Sequence, residues 1–351
     1  MSSRSQPAIP SRFASPWSLA ALAVSALLWV GCAAAPSAPA AAAEPQAVAG
    51  EAAQAPAAAS GTSSAPGRAA AGEASTSSGR LPPPSDASAA PEALRMWVVD
   101  VGQGDGTIII SPEGRVIVFD AGTRGGGANV VSLLRQLGVR TVDLAVMSHA
   151  HNDHMGGFRD IIDNFTVRRF LDPGFAHTSQ VYLNLLDQLA ANEIPIFTVE
   201  TGARIRVDSF VEFEVLAPSQ PFFRGTRSDV NANGIVVLMH FGAHRILMMG
   251  DAEAETERRL LAEGNLTPVD VLRVAHHGSR HSSLSEFLAV VQPRIAIISC
   301  GANNSYGHPA PETLERLERA GVAEIYRTDL HGTILIESNG EVMVVTPARL
   351  P

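Results

Sequence analysis

The stretch SHAHNDHMGG, Ser148 to Gly157, packs three histidines and one aspartate into the six residues from His149 to His154. It continues from VDLAVMS, Val142 to Ser148, an apolar run that reads as a buried strand and delivers the cluster to its carboxyl end. On an extended segment His149 and His151 alternate and so point the same way. Asp153 and His154 follow where the chain turns into a Gly-rich helix start, close enough to face a second centre. Neutral imidazole and carboxylate suit Zn²⁺ and its neighbours, so four such groups in six residues favour a metal site over a polar surface loop. All eleven histidines lie between His149 and His331, and scattered surface histidines would not avoid the first 148 residues so completely.

Around this stretch the chain alternates between strand and helix patterns. MWVVDVG, GTIIIS and RVIVFDAG are short β-branched runs, and NVVSLLRQLG, Asn129 to Gly138, has apolar residues at helical spacing with a glycine stop. Further on, GIVVLMHF and HRILMMGD flank Gly242-Ala243, a two-residue hairpin signal. AEAETERRLLAEG, SLSEFLAVVQP and APETLERLERAG read as helices, with strands VDVLRV and RIAIISC among them. Strand-rich blocks each followed by helices predict two packed sheets with helices outside.

Residues 33–93 are almost wholly Ala, Pro, Ser, Gly and Thr and cannot bury enough apolar surface to fold, so they read as a disordered linker. Residues 94–351 then form one folded domain. Residues 1–32 carry Arg4 and Arg12 ahead of WSLAALAVSALLWVGC, a basic region and a short apolar run ending in small residues, the pattern of a secretory signal. Gly31-Cys32 resembles a lipoprotein cleavage site, although Trp29 stands where an aliphatic residue is usual, and an uncleaved anchor helix is the alternative. The expected location is the cell envelope, membrane-tethered through a lipid on Cys32, or else periplasmic or secreted. Cys300 lies in an apolar run and reads as a core thiol, so no internal disulfide is expected. The formal charge of -9 argues against a broad nucleic-acid-binding surface but not against a local phosphate site, for which Arg124, Arg280 and Arg327 are candidates. All 26 basic residues are arginine.

The pattern H-x-H-x-D-H followed by Gly-Gly resembles that of metallo-β-lactamase-fold hydrolases. Further motifs resemble one branch, the soluble domain of the ComEC competence proteins and their free-standing relatives. These are DVGQGDG from Asp100, FDAG from Phe119, GD at Gly250-Asp251, VAHHGSRHS from Val274, ISCGANNSYGHP from Ile298 and YRTDLHGTI from Tyr326. The resemblance covers residues 96 to about 340, in order. It implies an α/β fold, the αββα sandwich of two mixed sheets, with a metal site at one edge.

By matching position, the resemblance makes His149 and His151 ligands of a first metal and Asp153 and His154 ligands of a second, with Asp251 shared. One of His276 and His277 would complete the second site, since adjacent side chains usually point apart. Asp120 is either a weaker ligand or a support for one. Where metallo-β-lactamase-fold enzymes usually place a third histidine on the first metal, this chain, like the competence-type relatives it resembles, has an asparagine-rich segment, NANGIVVL, so Asn231 or Asn233 stands there, with His177 a possible substitute from a nearby loop. That departure leaves Zn²⁺ or Mn²⁺, and one ion or two, open. His240 and His244 flank the hairpin as structural residues; His281 and His331 have no assigned part. Asn303, Tyr306 and His308 lie in a polar loop after a buried strand, where substrate contacts tend to sit. The implied function is an exported hydrolase that uses metal-activated water on a phosphodiester, DNA being one candidate, with Asp153 or Asp251 orienting the nucleophile. A lactam or lactone hydrolase, and a tethered binding protein without turnover, are the competing readings.

Overall fold

The computed structural model describes residues 93–350. The expected signal, Cys32 and, apart from Ala93, the linker lie outside the described residues. β1 (Leu94–Val98), β2 (Gly106–Ile110) and β3 (Val116–Ala121) pair antiparallel in sequence. After α1 (Arg124–Gln136) and the two-residue β4 (Thr141–Val142), β5 (Leu144–Val146) lies parallel to β3. Helices α2 (Asn152–Met155) and α3 (Phe158–Asn164) and a second two-residue strand, β6 (Thr166–Val167), lead to β7 (Phe170–Asp172). Beyond α4 (Gln180–Ala191), β8 (Ile196–Thr198) ends this sheet, parallel to β7.

The second sheet starts with β9 (Arg204–Arg206) and β10 (Val211–Ala217). After α5 (Asp229–Ala232) come β11 (Val236–Phe241) and β12 (His244–Met248), joined through Gly242-Ala243 as the sequence predicts. Crossover helices α6 (Ala254–Glu263), α7 (Ser285–Val291) and α8 (Pro311–Arg319) then separate parallel strands β13 (Val271–Arg273), β14 (Ile295–Ile298) and β15 (Glu324–Arg327). The short α9 (Thr328–His331) returns the chain to the first sheet, where β16 (Ile334–Ser338) pairs with β1 and β17 (Met343–Pro347) with β16. Among the described residues the sheets have eight and seven strands.

Alternate residues of single strands enter different cores, which is what a four-layer sandwich requires. Ile109 and Ile117 face the second sheet beside Phe213, Val237 and Met248, whereas Ile108 and Val118 face α1 and α3. On the far side Val236, Leu238 and Leu247 pack under α6 and α7 with Leu260 and Phe287. The helices outside and sheets inside match the expected αββα order.

Two local differences from the sequence reading have physical causes. Helix α1 starts at Arg124, five residues before the predicted Asn129, and so takes in Gly125, Gly126 and Gly127. The Thr123 hydroxyl caps it by accepting the Gly126 N–H at 3.0 Å. A Cβ at Gly127 would lie 2.5 Å from the Cα of Gly157, so these glycines let α1 press against the start of α3. Strands β7 and β8 are each three residues long, too short to display a period of two.

Candidate metal centre

β5 ends at Val146, and the next residues cross the edge of the first sheet at the end of β3. Asp120 fixes that crossing. Its Oδ1 accepts the Ser148 N–H at 2.7 Å, and its Oδ2 accepts the Ser148 hydroxyl at 2.6 Å and lies 2.8 Å from His154 Nδ1. Asp120 is fully buried with φ of 55°, a left-handed conformation that costs a non-glycine residue on the order of 1–3 kcal/mol. Its role is to orient His154, the supporting one of its two expected parts. The Gly-Gly that follows the cluster is steric: a Cβ at Gly157 would lie 2.1 Å from the Ala121 carbonyl oxygen.

Asp251, just past the end of β12 and 3 % exposed, is the centre of the arrangement. Its Oδ2 lies 3.6 Å from His149 Nε2 and 3.6 Å from His276 Nε2. Its Oδ1 lies 3.1 Å from His154 Nε2 and 3.5 Å from His277 Nε2. His149 Nε2 is 3.0 Å from His151 Nδ1, and Asp153 Oδ2 is 3.4 Å from His277 Nε2. Two ligand clusters result, His149 with His151 and Asp251, and Asp153 with His154 and His277, each with its donor atoms within 4.8 Å. In a third grouping, Asp105, Asp120 and His154, the two aspartates are committed to Arg273 and to Ser148.

The donor set fits a cation. His154 Nε2, His277 Nε2 and Asp251 Oδ1 are buried and face one another at ion-pair distance, without an aligned hydrogen bond to satisfy them among the described residues. Leaving such atoms unpaired costs about 1–3 kcal/mol each, a deficit that a shared metal ion removes. The outward nitrogens are held as metal-ligating imidazoles require: His277 Nδ1 lies 2.9 Å from the Ser299 carbonyl, and His149 Nδ1 lies 3.0 Å from Ser148 Oγ.

Burial pushes the His149 and His151 pKa values down, with His154 adding to the effect. Burial opposes protonation of His154 as well, but the Asp251 and Asp120 carboxylates outweigh it and raise its pKa well above the ordinary value. Asp251 is held well below the carboxylate range because the surrounding imidazoles, His154 and His277 foremost, overcome its burial. Asp153 is likewise lowered against its burial, chiefly by the His277 imidazole beside it. His308 is pushed down to about 4 by burial and by neighbouring His276 and His277.

The expectation that His276 and His277 point apart is not met. Both have left-handed backbones, with φ of 49° and 54°, and the turn brings both rings to Asp251. Of the two asparagines, Asn231 faces the site: it is buried, lines the cleft, and its Oδ1 has no hydrogen-bond partner. The Asn233 carboxamide instead binds Phe223 N at 2.8 Å, Phe223 O at 3.0 Å and Asp229 O at 2.7 Å, so it fixes the preceding loop. His177 pairs with the Ser179 hydroxyl at 3.0 Å, its ring centroid 6.4 Å from that of His151. His240 pairs with Glu214 at 3.0 Å, away from the site, as expected of a structural residue.

A cleft of about 430 Å³ opens onto the clusters. Tyr306, 65 % exposed, and His308 line it, their rings stacked with centroids 5.7 Å apart. Asn303 is exposed on its turn and does not line the cleft; Asn304 organises the loop, accepting the N–H groups of Tyr306 and His308 at 3.1 and 3.0 Å. Arg124, Arg280 and Arg327 do not line it either, and Arg327 is paired with Asp329 at 2.6 Å. Arg227 does, and it reaches Glu253 at 3.3 Å. Sequence reasoning passed over Ser148, Arg227 and Glu253; for Glu253 the available signal was a second carboxylate two residues beyond Asp251.

The segment after His277 is anchored from α6. Glu257, fully buried, accepts the N–H groups of Ser283 at 2.6 Å and Leu284 at 2.8 Å. Burial raises its pKa to about 7 from 4.5. The folded protein therefore holds this proton more tightly than the unfolded chain. The resulting stability is complete below pH 4.5 and is lost as pH rises through about 7. Urea unfolding at pH 5 and pH 8 should show a loss that Glu257→Gln lacks, on the order of 3 kcal/mol. Equal pH dependence in the two proteins would refute the titration.

Comparison with known proteins agrees with this architecture. Residues 99–302 match the family described as Metallo-beta-lactamase superfamily. ComE operon protein 3 of Bacillus subtilis is 29% identical over 254 residues, 68% of this chain and 32% of that protein. Competence protein ComA of Neisseria gonorrhoeae is 31% identical over 261 residues, 70% of this chain and 33% of that protein. The chain thus spans about a third of the length of these relatives. The crystal structure of the metallo-beta-lactamase fold protein YhfI from Bacillus subtilis superposes with a TM-score of 0.43 and 10% identity, covering 66% of this chain and 96% of that one. With a family match over more than half its length and the two-sheet sandwich carrying the histidine–aspartate clusters at its edge, this chain belongs to the metallo-beta-lactamase superfamily.

Proposed function

We propose that the protein is a metal-dependent phosphodiesterase, with single- or double-stranded DNA as a candidate substrate, acting in the cell envelope. The observation that carries the reading is Asp251, whose two oxygens each face a different pair of imidazoles, so that one carboxylate is shared between two clusters. Zinc or manganese ions held there would lower the pKa of water from about 16 toward ~7 and stabilise charge on attacking and leaving oxygens. The chain's own groups do the rest. Asp153 reaches the cleft and can orient the attacking water. Arg227, half exposed, can take a phosphate oxygen, and Tyr306 presents an open ring face to a base or aromatic leaving group. His308 beside it can hydrogen-bond the leaving group. The likeness to two proteins of competence systems supports a phosphodiester over a lactam. The envelope location rests on the Trp17–Cys32 pattern, with a lipid on Cys32 as the membrane tether.

The test compares bis(p-nitrophenyl) phosphate with nitrocefin on the full-length protein, before and after chelation. Phosphodiester turnover should disappear with the metal and return with Zn²⁺ or Mn²⁺, nitrocefin remaining at background. Nitrocefin turnover alone would make the protein a lactam hydrolase. No turnover, with less than one metal per chain, would make it a binding protein.

A further inference from the structure

The first cluster lacks the third histidine that the segment Asn231 to Leu238 should contribute, yet an imidazole stands beside it. His276 Nε2 lies 3.6 Å from Asp251 Oδ2, the oxygen that also faces His149, whereas His277 faces the other oxygen together with His154. The two rings lie 6.0 Å apart, centroid to centroid, at 73°, so one His-His turn addresses the two sides of one carboxylate. We propose that His276 supplies the missing third imidazole to the ion held by His149 and His151, with Glu253 as its positioning residue.

The surroundings of His276 separate a ligand from a histidine that merely lines a cleft. His276 Nδ1 lies 2.9 Å from Glu253 Oε1, and Glu253 is only 2 % exposed. Burying a carboxylate is costly, so its placement behind this ring calls for a use. Each of the other inner imidazoles has a hydrogen-bond partner behind it, His154 in Asp120, His277 in the Ser299 carbonyl and His149 in the Ser148 hydroxyl, and for His276 the Glu253 carboxylate stands in that place at ion-pair distance. Such backing fixes the tautomer, leaves the opposite nitrogen free as a donor to metal, and raises its basicity. Glu253 is itself steadied by Arg227 at 3.3 Å. His276 and Asp251 both line the cleft, and the approach of His276 Nε2 to Asp251 Oδ2 at 3.6 Å is what ties this ring to the first cluster. With three imidazoles available, the first site no longer requires an oxygen-rich donor set, and the Asn231 oxygen, buried and unpartnered, sits beside it as an accessory group.

The inference rests on reading the two clusters as metal sites, not on the substrate, so its test counts ions. The full-length protein is stripped of metal and titrated with Zn²⁺ by calorimetry, and bound zinc is measured after gel filtration. Wild type should hold two ions per chain. His276→Ala, His151→Ala and the double variant of both should each hold one, because the two residues serve the same ion. His276→Ala/His277→Ala should hold none. Glu253→Gln should hold two, with the weaker-bound first ion released at roughly 10–100-fold higher free zinc. Two ions at unchanged affinity in His276→Ala, or one ion in the His276→Ala/His277→Ala protein, would overturn the proposal. Should His276→Ala fail to fold, Glu253→Gln decides: an unchanged zinc affinity overturns it. A protein that holds two ions in this pattern but leaves bis(p-nitrophenyl) phosphate intact would overturn the phosphodiesterase reading alone.

Discussion

Asp251→Asn should lower hydrolysis of bis(p-nitrophenyl) phosphate by roughly 10³-fold or more, since removing a group one layer further from a metal already costs about 10–100-fold. The expectation follows from how the carboxylate is shared: Oδ2 faces His149 and His276, and Oδ1 faces His154 and His277. An amide keeps one oxygen and turns the other position into an N–H donor, which a cation rejects. It also removes the negative charge that balances the inner imidazoles and any ions among them. Far-ultraviolet circular dichroism should be unchanged, because Asp251 lies beyond the end of β12 and carries none of the sheet's pairing. His240→Ala is the control, since His240 pairs with Glu214 away from the site. Full turnover by the Asp251→Asn protein, with its metal still bound, would refute the assignment.

Asp105→Ala should destabilise the metal-free protein by about 3–5 kcal/mol, the cost of leaving one partner of a buried ion pair alone. Asp105 lies in the GQGDG turn of the first sheet, and its carboxylate takes the guanidinium of Arg273, on β13 in the second. Both side chains are nearly inaccessible, and Arg273 also donates to the Ile297 carbonyl at 3.3 Å. Around the same turn, the Asp105 N–H donates to the Asp153 carbonyl at 3.0 Å, so the pair braces the backbone beneath a metal-ligand candidate. Replacing both members with apolar residues of similar volume should recover most of the loss, because that removes the stranded charge. Urea unfolding of the single and double variants is the measurement. A change below about 1 kcal/mol for Asp105→Ala would show that the pair is solvated and unimportant.

Much of the site was legible because its chemistry is local. His149, His151, Asp153 and His154 announce themselves as four donor-type side chains in six residues, and strand VDLAVMS places them at a sheet edge. Asp251 was found through the matching motif at the end of HRILMMGD. What stayed hidden depends on backbone conformation or on distance along the chain. That both His276 and His277 turn inward follows from two positive φ angles, and histidine, unlike glycine, gives no sequence sign of them. The choice between Asn231 and Asn233 turns on which carboxamide the Phe223 backbone has already taken. Asp105 and Arg273 stand 168 residues apart, and DVGQGDG shows only that something fixes that turn. The early start of α1 was masked by its glycines, which weaken a helix by propensity and are needed here for close packing.

The division of the candidate metal ligands between the two halves of the chain has a consequence for biosynthesis. His149 to His154 come at the end of β5, and Asp251, His276 and His277 belong to the second sheet, nearly a hundred residues later. As the polypeptide emerges, the first group is complete while its counterparts have yet to be made. Joining them is a long-range closure, among the slower events in folding, and it needs both sheets already packed face to face. A nascent chain, or one truncated before Asp251, therefore displays an attractive pair of histidines but cannot retain an ion in a shared site. Both clusters of candidate ligands are therefore complete only once the second sheet has been made and packed onto the first.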